Sequence, residues 1–342
     1  SKNIGMDFSM LRDRLYGSLD YFWKNNNNML IPIAYPSALG IEAPTTNSGK
    51  LAIQGWELNI GWRDQMGDFS YSVRANISDA KNKVTQRIGN NLIGLGNNAT
   101  PAGYPLNSYF GYVFDGIIQN EQELAAYRAR FPNEGMIQTQ VGVGDAKYKD
   151  MDGDGRLSEL GNGSPGSGDL IYLGDANPRY NFGVNLFAAY KGFDFTAFIQ
   201  GIGRRTMILE GEASMPFYFP WFQSAQYWYG KTWTPEHTDS QYPAITLTDK
   251  RYYNYNPSTN TTHRVGYARL KNVQIGYTFP KKLTQRIKLE KLRIYFSGED
   301  LFEIHNTPGG WDPEDRGNIE GGGSYTSYPF ARNYSLGLNL IF

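Results

Sequence analysis

An acidic, glycine-rich stretch offers the clearest metal-binding chemistry in this 342-residue chain. It places acids at positions 1, 3 and 5, glycine at position 6 and a backbone carbonyl at position 7 of an EF-hand-type loop. The candidate ligands are Asp150, Asp152, Asp154, the carbonyl of Arg156, Ser158 and Glu159. Position 12 is Gly161, so Glu159 or Asp169 would have to replace the usual bidentate acid. The stretch predicts a structural Ca²⁺ site in a surface loop, and the alternative is a solvated loop closed by Asx turns.

Aromatic side chains concentrate in a second stretch, between residues 217 and 233. They are Phe217, Tyr218, Phe219, Trp221, Phe222, Tyr227, Trp228, Tyr229 and Trp233. Such rings stack on sugars, and they equally form a small hydrophobic core that holds a long loop in shape. Trp311, close to Asp312, Glu314 and Asp315, allows the same two interpretations. The candidate contact residues are Trp221, Trp228, Tyr229, Trp233 and Trp311.

Other patterns favour neither catalysis nor nucleic-acid binding. The histidines at 237, 263 and 305 have neither metal-ligand spacing nor a nucleophile partner. The glycines at 161, 163 and 166 match GxGxxG in spacing alone, because no strand precedes them and Pro165 interrupts them. Cysteine is absent, and 33 basic residues balance 33 acidic ones. We therefore expect a non-enzyme without catalytic or cofactor-binding residues and without a nucleic-acid partner.

The elements that position these residues follow a period of two, which is the period of β-strands. In the last twelve residues Tyr334, Leu336, Leu338, Leu340 and Phe342 share one parity. A hairpin around residues 55–78 repeats the pattern and places Glu57, Arg63 and Arg74 on its polar parity. Buried charge is costly in a packed core, whereas a water-filled lumen accommodates it. A mean hydropathy of −0.52 and the lack of long apolar runs exclude a helical membrane span.

Connections between the predicted strands alternate between short and long. Short ones lie near Arg12, Gln65, Lys191 and Lys281, and long ones cover about 25–48, 79–177, 204–263 and 301–330. This sorting is typical of outer-membrane barrels, with tight periplasmic turns and long extracellular loops. We therefore expect an all-β chain of about nine transmembrane antiparallel strands, with its C-terminus on the periplasmic side. Because such barrels need an even strand number, and because SKNIGMDF resembles mid-protein sequence, we expect a fragment or a processed product.

Several stretches resemble the SusC/RagA-type TonB-dependent outer-membrane transporters of Bacteroidetes. They are RLYGSLDYFWKNNNNML (14–30), GWELNIGW (55–62), YPLNSYFGYVFDGIIQNEQEL (104–124), GDAKYKDMDGDGRLSE (144–159), YLGDANPRYNFGVNLFAAYKGFDFTAFIQG (172–201), YARLKNVQIGYTFPKKL (267–283) and RNYSLGLNLIF (332–342). The resemblance implies the C-terminal portion of a 22-stranded barrel, whose N-terminal plug is absent from this chain. It also implies energy from TonB, import of glycans or oligopeptides, and a SusD-like lipoprotein lid that the aromatic loops would contact.

Two other classes of protein are consistent with alternating strands. One is a structural or adhesin-like outer-membrane barrel without transport, and the other is a soluble sugar-binding β-sandwich. The barrel predicts apolar parities that face lipid, with Trp23, Trp56, Trp62 and Tyr190 in an interfacial girdle. A sandwich predicts instead that the apolar parities meet in a dry core.

Overall fold

A nine-stranded antiparallel sheet is the frame of the protein. The computed structural model describes residues 1–32, 45–87, 93–96, 101–159, 168–209, 211–219, 221, 224–314 and 330–342. The strands are β1 (Lys2–Met10), β2 (Leu15–Pro32), β3 (Thr45–Met66), β4 (Phe69–Arg87), β5 (Ser108–Gly111), β6 (Phe114–Ile117), β7 (Ala146–Tyr148), β8 (Ile171–Asp175), β9 (Arg179–Tyr190), β10 (Phe193–Ile208), β11 (Thr262–Thr278), β12 (Lys291–His305) and β13 (Asn333–Ile341). The large sheet runs β1-β2-β3-β4-β9-β10-β11-β12-β13, while β5 pairs with β8 and β6 with β7. The predicted nine-strand meander is confirmed.

Tight turns join alternate pairs of neighbours in this sheet. Gly67, at φ 59°, begins the two-residue turn between β3 and β4. Lys191 and Gly192 both have positive φ between β9 and β10, which is the conformation that two-residue hairpins favour. The connection between β11 and β12 contains the short helix α4 (Lys281–Thr284). Because neighbouring strands are antiparallel, all four short connections lie at one end of the sheet and all four long ones at the other.

One face of the sheet carries a continuous apolar band that the described residues leave uncovered. The register aligns outward side chains across strands, for example Met6, Leu19, Leu58 and Ile77 on β1 to β4. At the other edge Leu336 is 83% exposed. The predicted apolar parities thus share a face and do not meet in a dry two-layer core. This arrangement contradicts the β-sandwich alternative.

The opposite face carries the polar parity, and its regularity breaks on β11. The pairing of β11 with β12 shifts between Leu270 and Asn272, and Asp300 on β12 has a positive φ of 51°. The sequence predicts a bulge here because Arg269 and Lys271 interrupt the parity, and the shift confirms it. A bulge re-aims side chains locally. Here it places both cations on the inner face of the sheet.

The predicted loop boundaries were wrong, because the strands continue further than the apolar pattern does. Asn25, Asn26 and Asn27 pair with β3, and β4 extends to Arg87, β10 to Ile208 and β12 to His305. Backbone pairing requires only a neighbouring strand, whereas the sequence pattern ends where the apolar residues end. The long connections are therefore shorter than expected, and the paired strands project beyond the apolar band.

The described residues of the connections from β4 to β9 and from β10 to β11 fold into a cap at the end of the sheet opposite the tight turns. Its helices are α1 (Glu121–Arg130), α2 (Gly135–Thr139) and α3 (Lys250–Asn254). The side chain of Asn120 caps α1 by accepting from the Glu123 amide. Tyr127, Tyr148 and Tyr253 are buried together, with 2.7 Å between the hydroxyls of Tyr127 and Tyr253. Among the described residues, no helix has the length and apolarity needed to span a membrane.

Candidate functional site

A polar cavity lies on the inner face of the sheet, where β3, β4, β9 and β10 approach the last long loop. Its volume is about 480 Å³. The side chains that give it its chemistry are Glu57, Asn59, Asn76, Asn181, Phe198, Gln200, Arg205 and Glu314. Carboxamides and carboxylates offer paired donors and acceptors, and aromatic rings, including those of Phe198 and Tyr267, add an apolar surface. The cavity suits hydroxyl-rich or amide-rich ligands better than hydrocarbon.

Above the cavity, the bulge on β11 holds the last loop against the sheet through ion pairs. Arg269 is fully buried, and its Nη2 lies 2.6 Å from the Asp312 carboxylate and 2.9 Å from that of Glu303. Its Nη1 lies 3.5 Å from Glu314, and Lys271 Nζ is 3.0 Å from the same carboxyl group. We call Arg269, Lys271, Glu303, Asp312 and Glu314 the clasp.

The clasp fixes the loop segment that forms one wall of the cavity. Arg205 donates to the Pro313 carbonyl over 3.0 Å, and both Pro313 and Glu314 line the cavity. Sequence patterns did not predict this cluster, and Asp312 and Glu314 stood out only as neighbours of Trp311. The available signal was the pair of cations that break the strand parity, because charges on a bulge require partners.

The aromatic candidates divide into exposed and buried residues. Trp228 and Trp233 are 3% and 8% exposed, and Trp233 Nε1 donates to Gln119 over 3.0 Å. Trp311 is half-buried and packs 5.9 Å from the ring of Tyr227. Trp221 and Tyr229 are 77% and 91% exposed. Trp228, Trp233 and Trp311 therefore fit the interpretation of a small hydrophobic core, while Trp221 and Tyr229 present their rings outward. Phe222 and Asp315 lie outside the described residues.

Three acidic side chains converge in the loop between β7 and β8. Carboxylate oxygens of Asp150, Asp152 and Asp169 all lie within 4.8 Å of one another. Asp169 is fully buried and accepts from the amides of Met151 and Ser158, at 2.6 and 2.8 Å. Burial is the main cause that raises the pKa of the Asp169 carboxyl, and the neighbouring carboxylates of the other two acids add to it.

Other residues of the predicted EF-hand-type set point elsewhere. The Asp154 carboxylate accepts from the Arg156 amide, and the Glu159 carboxylate accepts from the Leu95 amide at 3.1 Å. Ser158 contributes its backbone amide to Asp169. The structure thus assembles part of the predicted set and adds Asp169, which the sequence offered as a replacement for position 12. The glycines of the GxGxxG match, at 161, 163 and 166, lie outside the described residues.

The histidines lie apart from the cavity and from the acidic loop. His237 Nδ1 is 3.0 Å from the Ser240 hydroxyl, and His305 Nδ1 accepts from the Thr307 amide at 3.2 Å. Among the described residues, the acidic loop is the one place where three or more potential metal-ligating side chains converge.

Comparisons with known proteins give a consistent match along the whole chain. No family model matches it. Two TonB-dependent receptors of Formosa agariphila are 26% and 27% identical to it over 99% and 100% of this chain. The TonB-dependent receptor SusC of Bacteroides thetaiotaomicron is 24% identical over 99% of it. The chain spans about a third of the length of these relatives.

Solved structures show the same fold. The RagAB peptide transporter superposes with a TM-score of 0.74 at 19% identity, covering 99% of this chain and 34% of that one. The "closed-closed" state of the RagAB peptide importer gives a TM-score of 0.73 at 20% identity, covering 99% and 35%. Over its whole length, the chain thus matches the C-terminal barrel portion of SusC/RagA-type TonB-dependent outer-membrane transporters.

Proposed function

We propose that this chain is part of an outer-membrane nutrient importer that takes up glycans or oligopeptides with energy from TonB. The observation that carries the proposal is the apolar band that runs across all nine strands on one face of the sheet, while the opposite face is polar. An apolar surface of this extent is unfavourable in water, while a bilayer covers it. The similarity to TonB-dependent receptors supports transport as the function of this membrane-embedded sheet. The remaining strands, the plug and the contact with TonB are supplied by the rest of the transporter.

The orientation follows from the sorting of the connections. Tight turns face the periplasm together with the C-terminus, and the cap faces the exterior. The polar cavity then lies between the cap and the lumen, on the route of a ligand that enters from outside. Its carboxamides, carboxylates and aromatic rings suit a sugar or a peptide backbone, both of which combine polar groups with apolar faces.

The exposed rings of the cap are suited to a SusD-like lipoprotein lid. Trp221 and Tyr229 present their rings outward, and the buried rings of Trp228 and Tyr255 pack 5.4 Å apart beneath them. Aromatic side chains are favoured at protein interfaces because they bury a large area at low conformational cost. A rigid core that supports two outward rings is a suitable arrangement for docking a partner.

Lid docking is tested on the full-length transporter, purified in detergent with its co-purifying lipoprotein. Replacing Trp221 and Tyr229 by alanine is expected to reduce the recovered lid severalfold while leaving the strand content unchanged. The matched control is Met151→Ala, which truncates another exposed apolar residue of the cap. Equal lid recovery in both variants would contradict lid docking at these rings.

Transport itself is tested by uptake. A strain lacking the full-length transporter is expected to lose import of one labelled glycan or oligopeptide pool, and the wild-type gene restores it. Dissipation of the inner-membrane proton gradient stops the restored uptake if TonB energises it. A membrane-inserted protein whose deletion changes no uptake would instead support the adhesin-like or structural barrel.

We also propose a structural Ca²⁺ site in the acidic loop. Asp150, Asp152 and Asp169 supply a compact set of hard oxygen ligands, and the complete burial of Asp169 favours a counter-ion beside it. The loop joins β7 to β8, so a bound ion would connect two parts of the cap. Its role there is to stabilise the loop.

A further inference from the structure

The outer face of the first four strands changes character from apolar to basic in successive rows. The row Met6, Leu19, Leu58 and Ile77 is wholly apolar. Two residues further toward the cap, the row is Ile4, Tyr21, Trp56 and Asp79, in which two aromatic rings lie beside one acid. The following row is Lys2, Trp23, Gln54 and Lys81, and above it lie Asn25, Ala52 and Lys83. The polarity therefore changes within about 13 Å along the strands, as it does at a membrane surface.

An outward groove of about 910 Å³ lies at this transition. The residues that carry its chemistry are Ile4 and Trp23 at the apolar end and Lys2, Lys81 and Lys83 at the cap end, with Gly103 and Pro105 of the cap at its margin. Trp23 packs against Tyr21 with 4.4 Å between the ring centroids. The groove thus combines an apolar floor with a basic rim.

The three lysines have no ion-pair partner within 4 Å among the described residues. The acid closest to them in the register is Asp79, which is paired with Arg179 and interacts with Lys81 only at longer range. Neighbouring strands lie about 4.8 Å apart, so the backbones of Lys2 and Lys81, three strands apart, are separated by about 14 Å. Their flexible side chains, together with that of Lys83, can reach one anionic group from both sides.

From this arrangement, the geometry points to a binding site for a phosphorylated membrane lipid on the outer surface of the barrel. The acyl chains would lie along the apolar rows of β1 to β3, and the phosphate would lie between the lysines. Charge complementarity decides the occupant, because an apolar partner would leave three cations unpaired at the rim. The inference depends on the proposed membrane placement, and it adds a specific lipid contact to it.

The test uses the full-length transporter in nanodiscs made of zwitterionic phosphatidylcholine with a small fraction of a labelled lipid A. The double variant Lys81→Gln and Lys83→Gln is expected to retain about 25-fold less lipid A, at about fivefold for each lysine. The matched control is Lys24→Gln, an exposed lysine of β2 whose parity places it on the inner face. The control is expected to retain as much lipid A as the wild type.

Further measurements separate the possible failures. In the first measurement, the wild type is given dephosphorylated lipid A, which should bind as weakly as intact lipid A binds to the double variant. In the second, millimolar inorganic phosphate is added as a competitor and should not displace lipid A from the wild type. Equal retention by the double variant and Lys24→Gln, or displacement by inorganic phosphate alone, would overturn the site. A protein that fails to enter nanodiscs at all would contradict the membrane placement instead.

Discussion

Removing the clasp cation should release the last loop, and the structure sets the size of the effect. Arg269→Ala leaves the carboxylates of Glu303, Asp312 and Glu314 grouped around an empty space, with Lys271 as the nearest remaining cation. Breaking a buried ion pair by deleting one partner costs about 3–5 kcal/mol. The acids retain 12–26% of their side-chain exposure, so water can solvate them and the lower end applies. Since about 1.4 kcal/mol is a factor of ten, 3 kcal/mol makes opening roughly 100-fold more frequent.

Limited proteolysis of the full-length transporter measures this opening. Chymotrypsin cleavage after the half-buried Trp311 should be faster in Arg269→Ala by up to that factor, provided that cleavage is slower than reclosing. The control is Arg332→Ala, whose half-exposed guanidinium lies 3.8 Å from Glu303. Exposed pairs contribute about 0–1 kcal/mol, so the control should accelerate cleavage less than about fivefold. Equal rates in the two variants, or a wild-type rate in Arg269→Ala, would refute the assignment of the loop to the clasp.

Three further predictions concern the apolar face, the acidic loop and the tyrosine cluster. Leu336→Arg on the apolar face should reduce stability in the membrane by about 2–4 kcal/mol, whereas Ser335→Arg on the inner face should be tolerated; urea titration in lipid vesicles compares them. Asp169→Asn should abolish any Ca²⁺-dependent rise in the Tm of the cap and Asp154→Asn should preserve it, so a shift that survives in Asp169→Asn would contradict the site. Burial raises the pKa of Tyr127 to about 12. Since its neutral form is favoured in the folded state, its contribution is complete below about pH 10 and is lost as the pH rises toward 12. The difference in tyrosinate absorbance between the wild type and Tyr127→Phe should therefore show one group that ionises near pH 12.

Local sequence patterns predicted the frame of the protein. Strand parity, turn residues and the alternation of connection lengths depend on neighbours only a few residues apart, so they can be read without tertiary information. Even the bulge at Arg269 and Lys271 was visible as a break in parity. The extent of the strands was not, because a polar strand that pairs with its neighbour has no periodic signal. The run from Asn25 to Asn27, which pairs with β3, is the clearest case.

The contents of the candidate sites were decided by tertiary structure. Which aromatic residues are available depends on how the cap folds: Trp228 and Tyr229 are adjacent in sequence, yet one is buried and the other is almost fully exposed.

Long-range contacts also decide which residues make up the clasp and the acidic loop. Asp312 meets Arg269 across 43 residues, and the Ser158 amide reaches Asp169 across eleven. The sequence alone determined that this chain builds a sheet with one apolar and one polar face, because that property is set residue by residue. The pairing of distant charges, and the choice of which rings face outward, required the fold, because both depend on the loops being packed against one another.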